Sequence, residues 1–482
     1  MFRFRFSGCT SEYSSFFLLS ENFEEVLFLA QSRILIIHVG DMDNKGSEVL
    51  LRSDISVIKE VVKGDVSLSV STVNVEGIKK LNLPLNAVLP TIVDVPYKTA
   101  DSLARKAGIN RNTFKYKAFA VASLIYLFIQ TTLSVISAIF TKLGLKTFYR
   151  SEVLTHMKNC DLVISCSDEN FKEAASLLPS NFYWILTWWT MLFQRTFEIS
   201  IAKFIGKPII AFPNSVGPFR TWVGRFLSRL ALNNCVYVLI REPVSYEIVN
   251  SLGIGSRKIL TSDTALLFKT TKKTISESFS RPAIAVCPGI YGYSLSNEQV
   301  RNYILEHAKA LDVAIEHYGF NVFLSPHYVS HLEYDDLEIC ELILHKMKNK
   351  NRAKIVVASG VEEFKSLLDH MDMVIASKMH PGVLAVSGHV PTLCIAYDHK
   401  QIGFFKHLGM ADCTIPLMEA SCERILSKID FVWREREKIA ASLQTRIPEL
   451  QEGIRKAVRE ALAFFVQVND KIVDDTFPES AR

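Results

Sequence analysis

Short apolar runs alternate with helical patterns along most of this chain, and that alternation restricts the fold more than any other feature. Residues 33–38 (RILIIH), 161–166 (DLVISC), 209–212 (IIAF) and 236–240 (VYVLI) are close to continuously apolar. A strand buried on both faces reads this way, whereas a strand with one wet face alternates. A second series follows at 284–287, 322–324, 355–358, 373–375 and 392–397, with helical patterns at 297–317, 335–348 and 361–370 between them. Strands separated by helices of this length predict a parallel, doubly wound sheet. The 482 residues suffice for two such domains. The Ser- and Thr-rich stretch 271–281 reads as the linker. The expected organisation is an extension over 1–31, an α/β domain over 32–270, a second over 282–423, and a charged helical segment over 424–482 that packs back across the first domain.

Composition narrows the function classes. Hydrophobic residues make up 49% and charged residues 22%, as in a folded protein with a large core. A formal charge of +5 is too small to imply nucleic acid, but it suits anionic ligands or an anionic membrane surface. The nine Cys form no CxxC pair, which fits free thiols in a reducing compartment. HExxH, HxH and GxSxG are missing, so neither a structural metal nor an α/β-hydrolase is expected. Arg3 and Arg5 resemble the start of a secretory signal, but Glu21, Glu24 and Glu25 interrupt its apolar stretch.

Residues 118–140 are apolar apart from Ser, Thr, Tyr and one Gln, a length that can cross a bilayer. Basic residues flank both ends and give no orientation. A crossing would place 33–38 and 162–165, which read as strands of one sheet, on opposite sides. A helix lying in the membrane interface or re-entering it is therefore the favoured reading, with a buried helix and a true span both open. Trp184, Trp188 and Trp189 suit a headgroup region or a core helix. The expected location is the cytoplasm, against the inner face of the membrane.

The turns after the apolar runs carry the chemistry. Asn44-Lys45-Gly46-Ser47 follows the first run and opens a helix, where backbone N–H groups suit an anion or a sugar hydroxyl. A plain tight turn fits equally well. Asn214-Ser215-Val216-Gly217-Pro218-Phe219 reads as the loop after 209–212. Arg241 ends 236–240, where a guanidinium can meet a carboxylate or phosphate, or form an ion pair with Glu242 or Asp263. His327 ends another run and can face the cleft, while Asp335-Asp336 reads as a helix cap. Ser377-Lys378-Met379-His380 places an imidazole two residues from a cation, as proton transfer beside an anionic substrate requires. A histidine satisfied by backbone at the corner is the plain alternative. Tyr397-Asp398-His399-Lys400 offers a charge pair and a sugar or anion contact.

In this order the turns, together with Ser262-Asp263-Thr264-Ala265, resemble the polysaccharide pyruvyl transferase family from about residue 33 to about residue 410. The resemblance implies two Rossmann-like domains in the glycosyltransferase-B arrangement. It implies transfer of the enolpyruvyl group of phosphoenolpyruvate to a sugar, closed to a cyclic ketal on two hydroxyls. By resemblance, Arg241 and Lys378 would hold the phosphate and carboxylate of phosphoenolpyruvate, and His380 would be the acid or base. Met379, Asn44, Lys45, Asn214, Ser215, His327 and Lys400 complete the candidate substrate-binding set. No cofactor is implied, and the partners are the donor, a polysaccharide or lipid-linked glycan, and the membrane surface. The chain departs from the family pattern twice: Lys378 stands where Arg is usual, and 165–168 lacks the usual glycines. A nucleotide-sugar glycosyltransferase and a non-catalytic glycan-assembly protein are the alternative readings.

Overall fold

The first long apolar run becomes the central strand of an eight-stranded parallel sheet. The computed structural model describes residues 26–27, 32–63, 65–96, 100, 107, 114–173, 182–270, 280–290, 295–329 and 335–476. Most of the expected extension and linker lie outside them, as does the side chain of Trp184. The strands are β1 (Ser32–Val39), β2 (Val66–Thr72), β3 (Ala87–Pro90), β4 (Leu162–Ser165), β5 (Asp168–Phe171), β6 (Ile209–Val216), β7 (Tyr237–Ile240) and β8 (Arg257–Leu260). Their order is β8-β7-β6-β4-β1-β2-β3, with β5 beside β6.

The second sheet contains β9 (Ala283–Cys287), β10 (Asn321–Leu324), β11 (Ala353–Ile355), β12 (Met373–Ala376), β13 (Thr392–Ala396) and β14 (Thr414–Pro416). Its order, β11-β10-β9-β12-β13-β14, is also parallel throughout. Both are doubly wound, with the strand order reversing beside β1 and beside β9. Crevices at such switch points, at the carboxyl ends of the strands, are where this architecture binds ligands.

Several elements differ from the sequence reading. β2 (VSLSVST) alternates serine with apolar residues, so it carries no continuous apolar signal. β8 and β14 are short edge strands. β6 runs on through Val216, so Asn214 and Ser215 lie in a strand and not in the expected loop. Both are buried, and side-chain hydrogen bonds satisfy them inside the sheet.

Alternate residues of β1 feed different cores. Leu35 and Ile37 pack under α2 (Phe114–Lys142), α3 (Phe182–Ile205) and α4 (Trp222–Asn233). Ile34 and Ile36 join a core shared with α1 (Lys45–Val61) and the second domain. α5 (Pro243–Ser251) follows β7; in the second domain, α6 (Asp336–Lys346), α7 (Met379–Ser387) and α8 (His399–His407) follow β10, β12 and β13. The last helix, α9 (Arg436–Thr476), buries Leu443, Ile447, Leu450, Ile454 and Val458 in that shared core. Its Arg446 bonds the His407 carbonyl of one domain, and its Gln451 bonds the Leu266 carbonyl of the other at 2.7 Å. The C-terminal helix thus packs back across both domains.

Asp54 of α1 is buried, yet it accepts hydrogen bonds from Ser167 N, Ser167 Oγ and Thr264 Oγ1 at 2.7–2.8 Å. Burial pushes its carboxyl up to about 6, against the pull of those donors. This network ties α1 to the loops after β4 and β8.

Candidate active site

The two domains meet where α1 and α7 begin. Asn44 caps α1, its side-chain oxygen accepting from Gly46 N at 2.9 Å. Its backbone also bridges to Tyr328 of the second domain. Lys378 stands at the N-cap of α7 in extended backbone but makes no side-chain capping bond. Helix starts leave backbone N–H groups free to meet an anion.

His380, in the first turn of α7, reaches across this seam. A Cβ on Gly46 would overlap its Nδ1, so glycine at the start of α1 is what admits the imidazole. Its Nε2 has no hydrogen-bond partner and lies 4.0 Å from Asp263 Oδ2. Burial lowers the His380 pKa, Asp263 opposes that shift, and the Arg241 guanidinium adds to it. The ring is therefore neutral at pH 7 and able to accept a proton.

Arg241 is fully buried at the end of β7. Its Nε donates to Ser215 Oγ at 2.8 Å and its Nη1 to Asp263 at 2.9 Å, while Nη2 has no hydrogen-bond partner. The sequence left an ion pair open as one of two readings, and the pair with Asp263 forms. One face of the guanidinium still lacks an acceptor.

On the other side of His380, Lys378 pairs with Asp336 at 2.7 Å. Burial raises the Asp336 carboxyl, against the pull of Lys378. The Lys45 ammonium donates to the His327 carbonyl at 3.3 Å, and burial lowers its pKa despite Asp336 and Glu48. The His327 and His380 rings stack 6.2 Å apart, and neither ring nitrogen of His327 has a partner. Burial and the nearby cations Lys378 and Lys45 hold His327 well below its ordinary pKa. Two unpartnered imidazoles thus stand between two helix starts, edged by Lys45 and Arg241.

A second cluster closes the same seam. Glu169 takes Lys172 from its own domain and Lys400 from the other. Lys172 in turn reaches Asp398 at 3.3 Å and lies 4.2 Å above the Trp188 ring. Burial would raise both carboxyls, but the lysines outweigh it and hold Glu169 and Asp398 below the usual carboxylate range.

The structure therefore gathers His380, Arg241, Ser215, Lys45, Asn44, Lys378 and His327 at one seam. It separates three other candidates from them. Asn214 has its whole amide engaged inside the fold, with Asn170 N, Cys166 O and Phe212 O. Met379 is 3% exposed and packs in the shared core. Lys400 is neutralised in the ionic cluster. The candidate set omitted Asp263 and Asp336, which orient Arg241 and Lys378. Asp336 had a signal: it adjoins Asp335, and only Asp335 caps α6, by accepting from Glu338 N. Among the described residues, no group of three His, Cys, Asp or Glu side chains is placed to hold a metal ion.

Residues 44–399, from the cap of α1 to the start of α8, match the pattern of the polysaccharide pyruvyl transferases. The chain belongs to the polysaccharide pyruvyl transferase family. Among characterised proteins it is similar to the amylovoran biosynthesis protein AmsJ of Erwinia amylovora, 21% identical over 262 residues, which are 50% of this chain and 62% of that protein. The fold is that of glycosyltransferase-B enzymes and their relatives. A UDP-GlcNAc 2-epimerase from Neisseria meningitidis superposes with a TM-score of 0.54 at 11% identity, covering 89% of this chain and 99% of the other. The Glycyrrhiza uralensis glycosyltransferase UGT73P12 gives 0.55 at 10% identity, covering 94% and 99%. In this member of the pyruvyl transferase family, the cation two residues before the motif histidine is a lysine held by Asp336.

Proposed function

We propose that the protein transfers a pyruvyl group from phosphoenolpyruvate to two hydroxyls of a glycan, closing a cyclic ketal. The observation that carries this reading is the place of His380, neutral, unpartnered at Nε2, and set in the seam between helix starts and cations. Phosphoenolpyruvate is multiply anionic, and three features suit it. They are the open Nη2 of Arg241, the Lys45 ammonium, and the uncapped N-terminus of α7.

The proton balance suits a single imidazole. The two sugar hydroxyls bond to C2 of the donor and lose two protons. One proton ends on the methylene carbon, making it methyl, and the other leaves with phosphate as the C2–O bond breaks. His380 accepts a proton from a hydroxyl and returns it to carbon. The bound anion favours the imidazolium between those events. The acid limb of kcat/KM should then lie below pH 6.5, because the free enzyme needs the neutral ring and its pKa is lowered.

The test is thermal stabilisation of the purified protein by phosphoenolpyruvate, beside UDP-sugars. A ligand at ~100 times its Kd adds ~2.7 kcal/mol. A rise with phosphoenolpyruvate, followed by glycan-dependent phosphate release and a new ketal methyl signal in NMR, is the expected result. Stabilisation by a UDP-sugar and none by phosphoenolpyruvate would overturn the reading in favour of a glycosyltransferase.

A further inference from the structure

Helix α2 is amphipathic in the wrong sense for a protein surrounded by water. Its inward stripe is rich in polar residues: Ser123, Gln130, Ser134, Ser137 and Thr141 are buried beside Leu127 and Ala138. Its outward stripe is bulky and apolar: Val121, Ile125, Phe128, Ile129, Ile136 and Ile139 are exposed, Phe128 by 73%. Surface helices in water turn the apolar stripe to the core and the polar face outward.

The face continues beyond this helix. Lys142 at the end of α2 lies over the ring of Phe204 on α3, which is exposed. α3 packs on α4 through Thr196, and α4 exposes Phe226, Leu230 and Trp222, the last by 77%. Exposed apolar patches that run over several elements mark interaction surfaces.

We propose that this three-helix face docks on an anionic lipid bilayer, with α2 lying in the plane of the interface. Charge selects that occupant. Neither α2 nor α4 contains an acidic residue, and the one acid of α3, Glu198, is buried. Among the described side chains of these three helices, the exposed charges are Lys142, Lys203, Arg225 and Arg229, all basic. Cations around an apolar face with Trp and Phe match a headgroup layer. A second copy of the chain, paired through the same three helices, would set these cations against each other with no exposed acid of those helices to offset them.

The inward stripe speaks against a crossing. Gln130 exchanges hydrogen bonds with the Asp94 backbone at 2.9 Å and its carboxylate at 2.7 Å. Ser134 bonds the Ile92 carbonyl. The flanking strands β3 and β4 also belong to one sheet, so both ends of α2 return to the same domain.

The experiment is flotation of the full chain with vesicles of phosphatidylcholine alone or of phosphatidylcholine with phosphatidylglycerol. It compares wild type, Phe128→Glu, Trp222→Ser, and Val357→Glu, which alters an exposed apolar residue of the other domain. Thermal melts and light scattering show that each variant is folded and give its oligomeric state. The expected result is binding to the anionic vesicles, about tenfold weaker for Phe128→Glu and Trp222→Ser and unchanged for Val357→Glu. Three results would each overturn the proposal: no flotation with either vesicle, a stable dimer that Phe128→Glu dissociates, or retention in membranes after alkaline carbonate washing. None of these readings depends on turnover, so this surface stands or falls apart from the donor assignment.

Discussion

The two clusters that close the seam use similar residues to opposite ends. Around Glu169, every acid has a cation and every cation an acid: Lys172 and Lys400 on Glu169, and Lys172 again on Asp398. Around His380, the set is incomplete. Arg241 and Lys378 each have an acid, but Arg241 Nη2, His380 Nε2 and both ring nitrogens of His327 lack partners. Buried polar groups in folded proteins are normally satisfied, so a cluster of unpaired ones at a domain seam is a candidate for ligand binding. The first cluster is a latch between domains, and the second is the candidate site.

Substitutions can break this contrast. The largest effect is expected for His380→Ala. Loss of acid–base help should lower the rate of transfer ~10²–10⁴-fold, with little change in the melt. A melt lowered as far as in a latch variant would make His380 part of the scaffold instead. Glu169→Ala should behave in the opposite way. It strips the carboxylate from two mostly buried lysines, and losing one member of such a group costs ~3–5 kcal/mol in denaturant unfolding. A loss under ~1 kcal/mol would mean that the latch is only a solvated surface pair.

Gly46→Ala sharpens the comparison without touching a charge. The new methyl overlaps His380 Nδ1, so the ring must move. A displaced reacting group costs on the order of 10² in rate, and the latch should remain intact in the melt. The smallest effect is in the pH dependence of stability. The Glu169 carboxyl is lowered from 4.5 to about 2, so its contribution is complete above pH 4.5 and is lost as pH falls towards 2. Melting temperature should decline over that window, and Glu169→Gln should flatten the decline while lowering stability at pH 7. An unchanged slope would place the acid sensitivity elsewhere.

Much of this architecture was legible before folding. Strands buried on both faces tend to be continuously apolar, and β1, β4, β7, β9, β12 and β13 are found where such runs stand. The turns and helix starts at their carboxyl ends hold His380, Arg241 and Lys45. The less apolar strands were not visible, since β2 mixes serine with apolar residues and two others lie at sheet edges. Asn214 and Ser215 look like loop residues until side-chain partners inside the sheet satisfy them.

The sequence by itself determined the parallel two-domain class and which turns carry charged and titratable side chains, because period and residue type are local properties. Only the tertiary structure decided which charges are spent on each other. Lys378 is 42 residues from Asp336 in the chain and 2.7 Å from it in space. Lys400 meets Glu169 across 231 residues. The same holds for α2, whose length and apolarity can be read directly but whose orientation cannot. Its Gln130 and Ser134 face inward, where Asp94 and the Ile92 carbonyl meet them. Pairing and burial depend on distances between remote segments, and a sequence holds those distances only through the fold.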